Sequence, residues 1–446
     1  MNQSDIKIRP EPRIIARSNH RISRSDISEN ALKVLYRLKK AGFAAFIVGG
    51  GVRDLLLDLH PKDFDVVTDA LPDEVRALFR NSRLIGRRFR LAHVRFGREI
   101  IEVATFRADL AGDHLESDRQ HDVESGRILR DNVYGSIEED IWRRDFTANA
   151  LYYNIADFSV WDYTTGMDDI AARTLRLIGD PEQRYREDPV RMLRAIRFAA
   201  KLDFSIHETA AEPIPRLAPL LLDVPAARRF DEVLKLFQSG HAARSFDLLE
   251  EFGLIEYLFP VTAARLCDRD GDEVRQFIRL GLTGTDERVA QDKPITPMFL
   301  YAVMLWPAIR DLAQAVSARD GLAPSAALSE ACYQISAAQQ GCTALPKRYS
   351  VPMREVLQLQ PRFETRTGVR AARFLEHKRF RAAYDFMVLR ASCGEVDQEL
   401  AQWWTEIQGR SEADVKSAFG IARGRPSGRR GGRRRRSRSR SGSAPS

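Results

Sequence analysis

The chain is 446 residues long, 44% hydrophobic and 30% charged, which leaves room for two to four domains around a substantial buried core. The longest uncharged apolar run, Pro297 to Ile309, is too short for a membrane span. The four cysteines (Cys267, Cys332, Cys342, Cys393) are scattered without a CxxC pair, and the first twenty residues hold no apolar signal segment. These features argue against a membrane protein, a disulfide frame or a zinc site, and the expected setting is the reducing cytoplasm. The net charge of +8 is local: residues 423–446 hold ten arginines and no acid, while the remainder has 60 basic and 62 acidic residues.

In chain order, residues 1–28 read as a flexible leader. Ser28 to Gly42 has apolar residues at helical spacing and ends on glycine, so a helix is expected. "FAAFIV" is a strand, followed by the glycine turn of "VGGGVRD" (Val48 to Asp54) and the start of a helix. "FDVVT" is a second strand, "PDEVRALF" a short helix, and "LAHVRFG" with "REIIEVATF" a hairpin around Gly97. Ala108 to Ser136 is polar and aperiodic and reads as a long loop. After Trp142 the pattern is strongly helical. The expected fold class is α+β: a small mixed-sheet head over residues 29–175, a helical neck over 176–260, a helical body over 261–420, and a disordered arginine-rich tail over 421–446. Such a tail suits phosphates, with nucleic acid as partner, although a solubilising segment or an anchor to anionic lipid has the same composition.

Four stretches carry chemistry. A strand, three glycines and a helix can present free N–H groups to a phosphate, or simply turn the chain. The GxGxxG pattern fails at Asp54, and no GK[ST] follows. Arg53 puts a cation in the first helical turn, where the helix dipole disfavours it unless an anion sits nearby. Downstream, Asp63 and Asp65 alternate with Phe64 and Val66, so both carboxylates share one strand face. Two like charges that close suit a bound Mg²⁺, and the plainer reading is a solvated strand face. In "WRRDFTANALYY", Arg143 and Arg144 abut Asp145, either as a further carboxylate with cations for a triphosphate or as a helix-end salt bridge. In "REDPVRMLRAIRFAAKLDF", Asp188 precedes Pro189 as an N-cap would, and Arg191, Arg194 and Arg197 lie opposite the apolar face of the same helix. Their mutual repulsion would be reversed by an anionic partner.

Taken together and in order, "VGGGVRDLLL", "KDFDVVT", "GRRFRLAHV", "IEVATFR", "RRDFTANALYY" and "REDPVRMLRAIRFAAKL" resemble the class II nucleotidyltransferases, the group of bacterial poly(A) polymerases and tRNA CCA-adding enzymes. Asp223 to Pro260, Arg373 to Ala391 and the arginine-rich tail resemble the poly(A) polymerase branch. The resemblance implies a polynucleotide adenylyltransferase that adds AMP from ATP to RNA 3′ ends without a template, with two Mg²⁺ ions. By position it implies Asp63 and Asp65 as metal ligands and Asp145 as the third acid, with Glu102 of "IIEVATF" as its rival. Gly50 and Arg53 would hold the triphosphate and Arg144 would lie beside the nucleotide. Asp188 and Arg191 would read the base, with Arg194 and Arg197 as supports. CCA addition, which shares the head, and a catalytically inactive RNA-binding adaptor are the alternatives.

Overall fold

Eight strands build the sheet around which the N-terminal part of the computed structural model is organised, in the order β1 (Arg13–Ile15), β10 (Val160–Asp162), β9 (Leu151–Asn154), β2 (Ala45–Val48), β3 (Asp65–Thr68), β6 (Glu99–Thr105), β5 (Leu91–Phe96) and β4 (Ser82–Ile85). The structure describes residues 11–86, 90–108, 119–122, 127–131 and 133–421. Neighbours run antiparallel except β3 and β6, which are parallel, so the sheet is mixed, as expected. The parallel pair requires a crossover, supplied by α3 (Pro72–Leu78), β4 and β5.

Alternation fixes the two faces. Ala92, Val94, Ile101 and Val103 are buried on one face, against which α1 (Glu29–Lys40) and α3 pack. Helix α1 follows from its N-cap: Ser28 Oγ accepts from the N–H groups of Asn30 and Ala31. On the other face, Phe46, Val48, Val67 and Tyr152 form a core with Ile141 of α4 (Ile137–Trp142).

Three sequence expectations need correction. Residues 11–28 are not a loose leader: β1 pairs with β10, and two 3₁₀ turns follow it. The long loop carries a hairpin, β7 (Arg119–Asp122) and β8 (Arg127–Asp131), paired with an irregularity at Gln120/His121. The segment after Trp142 is not yet helical, because β9 and β10 complete the sheet first. "LYYN" is too short a run to distinguish strand from helix by period alone.

Helices follow: α5 (Gly166–Ala171), α6 (Pro181–Glu187), α7 (Val190–Leu202), the short α8 (Glu208–Ala211) and α9 (Ile214–Leu217), α10 (Ala226–Phe237), α11 (Ala242–Glu251), α12 (Ile255–Leu258), α13 (Pro260–Leu266), α14 (Gly271–Ala290), α15 (Pro297–Asp320), α16 (Pro324–Cys342) and α17 (Lys347–Gln358). The apolar run noted above is the buried start of α15, and no helix among the described residues is long and apolar enough to cross a membrane. The chain divides into two compact units between Arg354 and Glu355. The second is helical and built on an aromatic cluster of Phe363, Phe374, Phe380 and Trp404. The arginine tail from residue 422 lies outside the described residues.

Candidate active site

Strand β2 is followed by Gly49, whose φ of 71° and ψ of −136° reverse the chain into α2 (Gly50–Leu56). A side chain there would be strained. Gly51 is needed for closeness: a Cβ on it would stand 3.3 Å from Ile47 Cγ2, 3.5 Å from the Phe64 ring and 3.6 Å from the Asp63 carbonyl. The glycine turn therefore packs directly on the segment that carries the two aspartates.

Asp63 precedes β3 and Asp65 opens it; both are exposed, while Phe64 and Val66 are buried, as the alternation predicted. Strand register then sets a row across the sheet: Tyr152 opposite Val48, Val48 opposite Asp65, Asp65 opposite Glu102, and Glu102 opposite His93. Such partners share a face. His93 Nε2 lies 3.1 Å from Glu102 Oε1. Although the outer edge of Asp65 is exposed, the protein around it displaces water. That burial, Glu102 and Asp63 together push its carboxyl up to about 6, against the pull of Arg144. Among the described residues no three acid, histidine or cysteine side chains form a preformed metal cage. A cluster of carboxylates that repel one another, open on one side, nevertheless fits a hard cation that brings other oxygen ligands with it.

Arg144 stands over the turn. Its Nε donates to Tyr152 Oη at 2.8 Å and its Nη2 to Asp140 Oδ2 at 2.8 Å, while Nη1 lies 3.9 Å from where a Gly49 Cβ would be. Tyr152 Oη also donates to Asp140, at 2.9 Å. The sequence reading missed Asp140 and Tyr152 as the supports of Arg144; the four-residue spacing from Asp140 to Arg144 was the available signal.

Arg53 and Asp145 differ from expectation in a specific way. Arg53 is 2% exposed, and its anion is its own neighbour: Nε and Nη2 donate to Asp54 Oδ1 at 2.8 and 2.5 Å, and Nη1 to Asn149 Oδ1 at 2.5 Å. The helix-dipole cost is thus met inside the protein, and the guanidinium braces the turn from beneath, 3.4 Å from a Gly50 Cβ position. Asp145 accepts from Arg194 Nε at 2.8 Å and from Arg194 Nη2, and from Asn149 Nδ2 at 3.2 Å and its neighbour's backbone N–H at 2.8 Å. Burial alone would raise its carboxyl, but Arg194 and these donors outweigh burial and hold it below the usual carboxylate range. Its partners are cations and amides, whereas the acidic neighbours of Asp65 are Glu102 and Asp63.

Helix α7 brings its arginines to the same place. The guanidinium groups of Arg53, Arg194 and Arg197 lie 5.2, 5.4 and 4.6 Å from the Phe198 ring centre. Arg197 Nε is buried without a partner among the described residues, and burial and Arg194 lower the affinity of that guanidinium for its proton. Asp188 is engaged at both oxygens: Oδ1 accepts from Val190 N–H at 3.3 Å, as a residue capping the start of α7 does, and Oδ2 from Arg228 Nη2 at 2.8 Å. Arg191 Nη1 donates to Glu187 Oε2 at 3.0 Å and to the Arg184 carbonyl at 2.7 Å.

Comparison with known proteins assigns this arrangement. Residues 45–176 match the poly A polymerase head domain, 203–266 a region described as a probable RNA and SrmB-binding site of polymerase A, and 320–441 the polymerase A arginine-rich C-terminus. Poly(A) polymerase I of Salmonella typhi is 50% identical over 425 residues, covering 95% of this chain and 91% of that protein. The CCA-adding enzyme of Geobacillus stearothermophilus is 37% identical over 230 residues, 52% of this chain and 54% of that enzyme. A solved tRNA-processing enzyme in an apo form superposes with a TM-score of 0.61 at 19% identity, covering 90% of this chain and 98% of that one, a likeness of fold.

Proposed function

The chain belongs to the bacterial poly(A) polymerase family and is a polynucleotide adenylyltransferase that adds AMP from ATP to RNA 3′ ends, and within that reaction we propose how its side chains divide the work. Asp63, Asp65 and Glu102 would hold two Mg²⁺ ions, with Glu102 rather than Asp145 as the third acid. The observation that carries this is the register pair of Asp65 with Glu102, which puts both carboxylates on one face beside each other; burial first, and Glu102 after it, raise the Asp65 carboxyl. Magnesium bound there would supply a lowered pKa for the RNA 3′-hydroxyl and positive charge opposite the leaving pyrophosphate.

The remaining work falls to the chain's own groups. Arg144, locked by Asp140 and Tyr152, points a guanidinium nitrogen over the glycine turn to receive the triphosphate beside Gly50. Arg197, with an unpartnered nitrogen, and Arg194 support the nucleotide from α7. Asp188 and Arg191, steadied by Arg228 and Glu187, take the base edge, so no nucleic-acid template is required. The 3′-oxygen attacks the α-phosphorus in line; a new phosphodiester forms, the bond to the bridging oxygen breaks, and pyrophosphate leaves. Asp145 anchors Arg194, and Arg53 anchors the turn. The head, neck and body limits at residues 175 and 260 and an RNA contact by the arginine tail belong to the same proposal. The four free cysteines support a cytoplasmic setting.

The test is extension of a short RNA with each nucleoside triphosphate alone, beside a tRNA lacking its CCA end supplied with CTP. Extension by ATP on the short RNA is expected. Incorporation of CTP into the tRNA would favour the CCA-adding reading, and absence of any turnover an RNA-binding adaptor.

A further inference from the structure

The catalytic row does not stop at Glu102. His93, opposite Glu102, is itself opposite Arg83 on β4, and the next position on this face of β5 is Arg95. Arg83 and Arg95 are exposed and have no ion pair among the described residues. The two faces of this half of the sheet differ: Ala92, Val94, Ile101 and Val103 are buried, whereas Leu91, His93, Arg95, Ile100, Glu102 and Ala104 are all at least partly exposed.

We propose that this open face of β6–β5–β4 seats the RNA 3′ end, with Arg83 and Arg95 holding its terminal phosphodiester. The inference rests on the reading of Asp65 and Glu102 as the catalytic acids. Along the row the side chains grade from acids at Asp65 and Glu102, through His93, to a cation at Arg83. An RNA 3′ terminus has the matching polarity: an uncharged hydroxyl at its tip and a negative phosphodiester one nucleotide back. Acids alone would repel that phosphate, and arginines beyond them reverse the sign. At about 4.8 Å per strand, Arg83 Cα stands roughly 14 Å from Asp65 Cα, a gap that the terminal sugar and the arginine side chain bridge together. The other cations of the site, Arg144 and the α7 pair Arg194 and Arg197, lie elsewhere: Arg144 stands above the β9–β2 side of the row. The phosphates of ATP and of RNA are thereby kept on opposite flanks of the acids.

The experiment uses the full chain, an oligoadenylate primer, and the same primer with a methylphosphonate at its last linkage, which removes that single charge. Arg83→Ala with Arg95→Ala should raise KM for the normal primer about tenfold and leave KM for ATP within about twofold, while Arg83→Lys with Arg95→Lys retains most of the affinity. Wild type should lose about the same factor on the methylphosphonate primer, and the alanine variant should lose little more. Melting temperature and circular dichroism report the fold; should the alanine pair unfold, Arg83→Gln with Arg95→Gln replaces it. An unchanged KM for RNA, or an alanine variant as sensitive to the methylphosphonate as wild type, overturns the proposal and leaves the polymerase reading intact. Failure of the wild type to extend RNA with ATP would instead overturn that reading.

Discussion

Asp65 and Asp145 are both acids in motifs that suggest chemistry, yet their surroundings push them in opposite directions. Asp65, shielded from water and beside Glu102 and Asp63, has a carboxyl pushed up to about 6. Asp145 stands in the fork of Arg194, backed by an amide side chain and a backbone N–H, and its carboxyl falls below the usual range. Asp145 has its cation already; Asp65, in the role proposed for it, is where one would bind. A carboxylate at a functional site is therefore better judged by what it lacks than by the motif that contains it.

The largest expected effect is on chemistry. Asp65→Asn should lower AMP addition by more than about 10³-fold, some 4 kcal/mol of transition-state stabilisation, while the melting temperature in EDTA holds or rises. Retention of a tenth of the activity would contradict the metal-ligand role. Glu102→Gln should cost about 10²-fold in kcat and also leave the fold intact.

Asp145→Asn should show the opposite profile. Removing one partner of a buried ion pair typically costs about 3–5 kcal/mol, and since the Arg194 side chain is 34% exposed we expect about 2–3 kcal/mol in urea unfolding. A variant as stable as wild type would remove the contrast between the two acids.

A smaller effect is a pH signature. Asp65 has a raised carboxyl in the folded state, so the native protein keeps a proton that the unfolded chain has released. Stability of the metal-free protein from this group should fall as pH rises from about 4 to 6 and level off above. For Asp145 the sign reverses: its contribution is present above the ordinary carboxylate value and is lost as pH drops below it. The difference between wild-type and Asp65→Asn melting curves across pH 4–7 isolates the first term. A difference independent of pH would show that Asp65 titrates normally.

The smallest change is Gly51→Ala. Its Cβ would meet Ile47 Cγ2 at 3.3 Å, so the turn must give by a few tenths of an ångström. We expect about a tenfold fall in kcat/KM with little loss of stability, because a small misplacement at the site weighs more than a small strain in the fold.

Local patterns could be read before any coordinates. The period-2 alternation at Asp63–Val66, the Gly97 hairpin and the capped helix α1 each depend on neighbours a few residues apart. What could not be read depends on partners brought together by folding. Arg194 meets Asp145 from α7, so the acid that looked catalytic turned out to be satisfied. Asn149 completes the pocket of Arg53, although Asp54, its other partner, was adjacent in sequence and still overlooked. Strands β9 and β10 carry too few residues for a clear period.

The parallel pairing of β3 with β6 also has a bearing on how the enzyme comes into being. Asp65 and Glu102 become neighbours only after α3, β4 and β5 have been laid down between them and the crossover has closed. Bringing such distant positions together costs loop entropy before any contact repays it, and pairings of this kind form slowly. A nascent chain released before β6 docks therefore has its glycine turn and both early aspartates but not Glu102, the acid proposed to complete the set. Catalytic competence should appear late and all at once during folding, a safeguard against a half-made polymerase that consumes ATP.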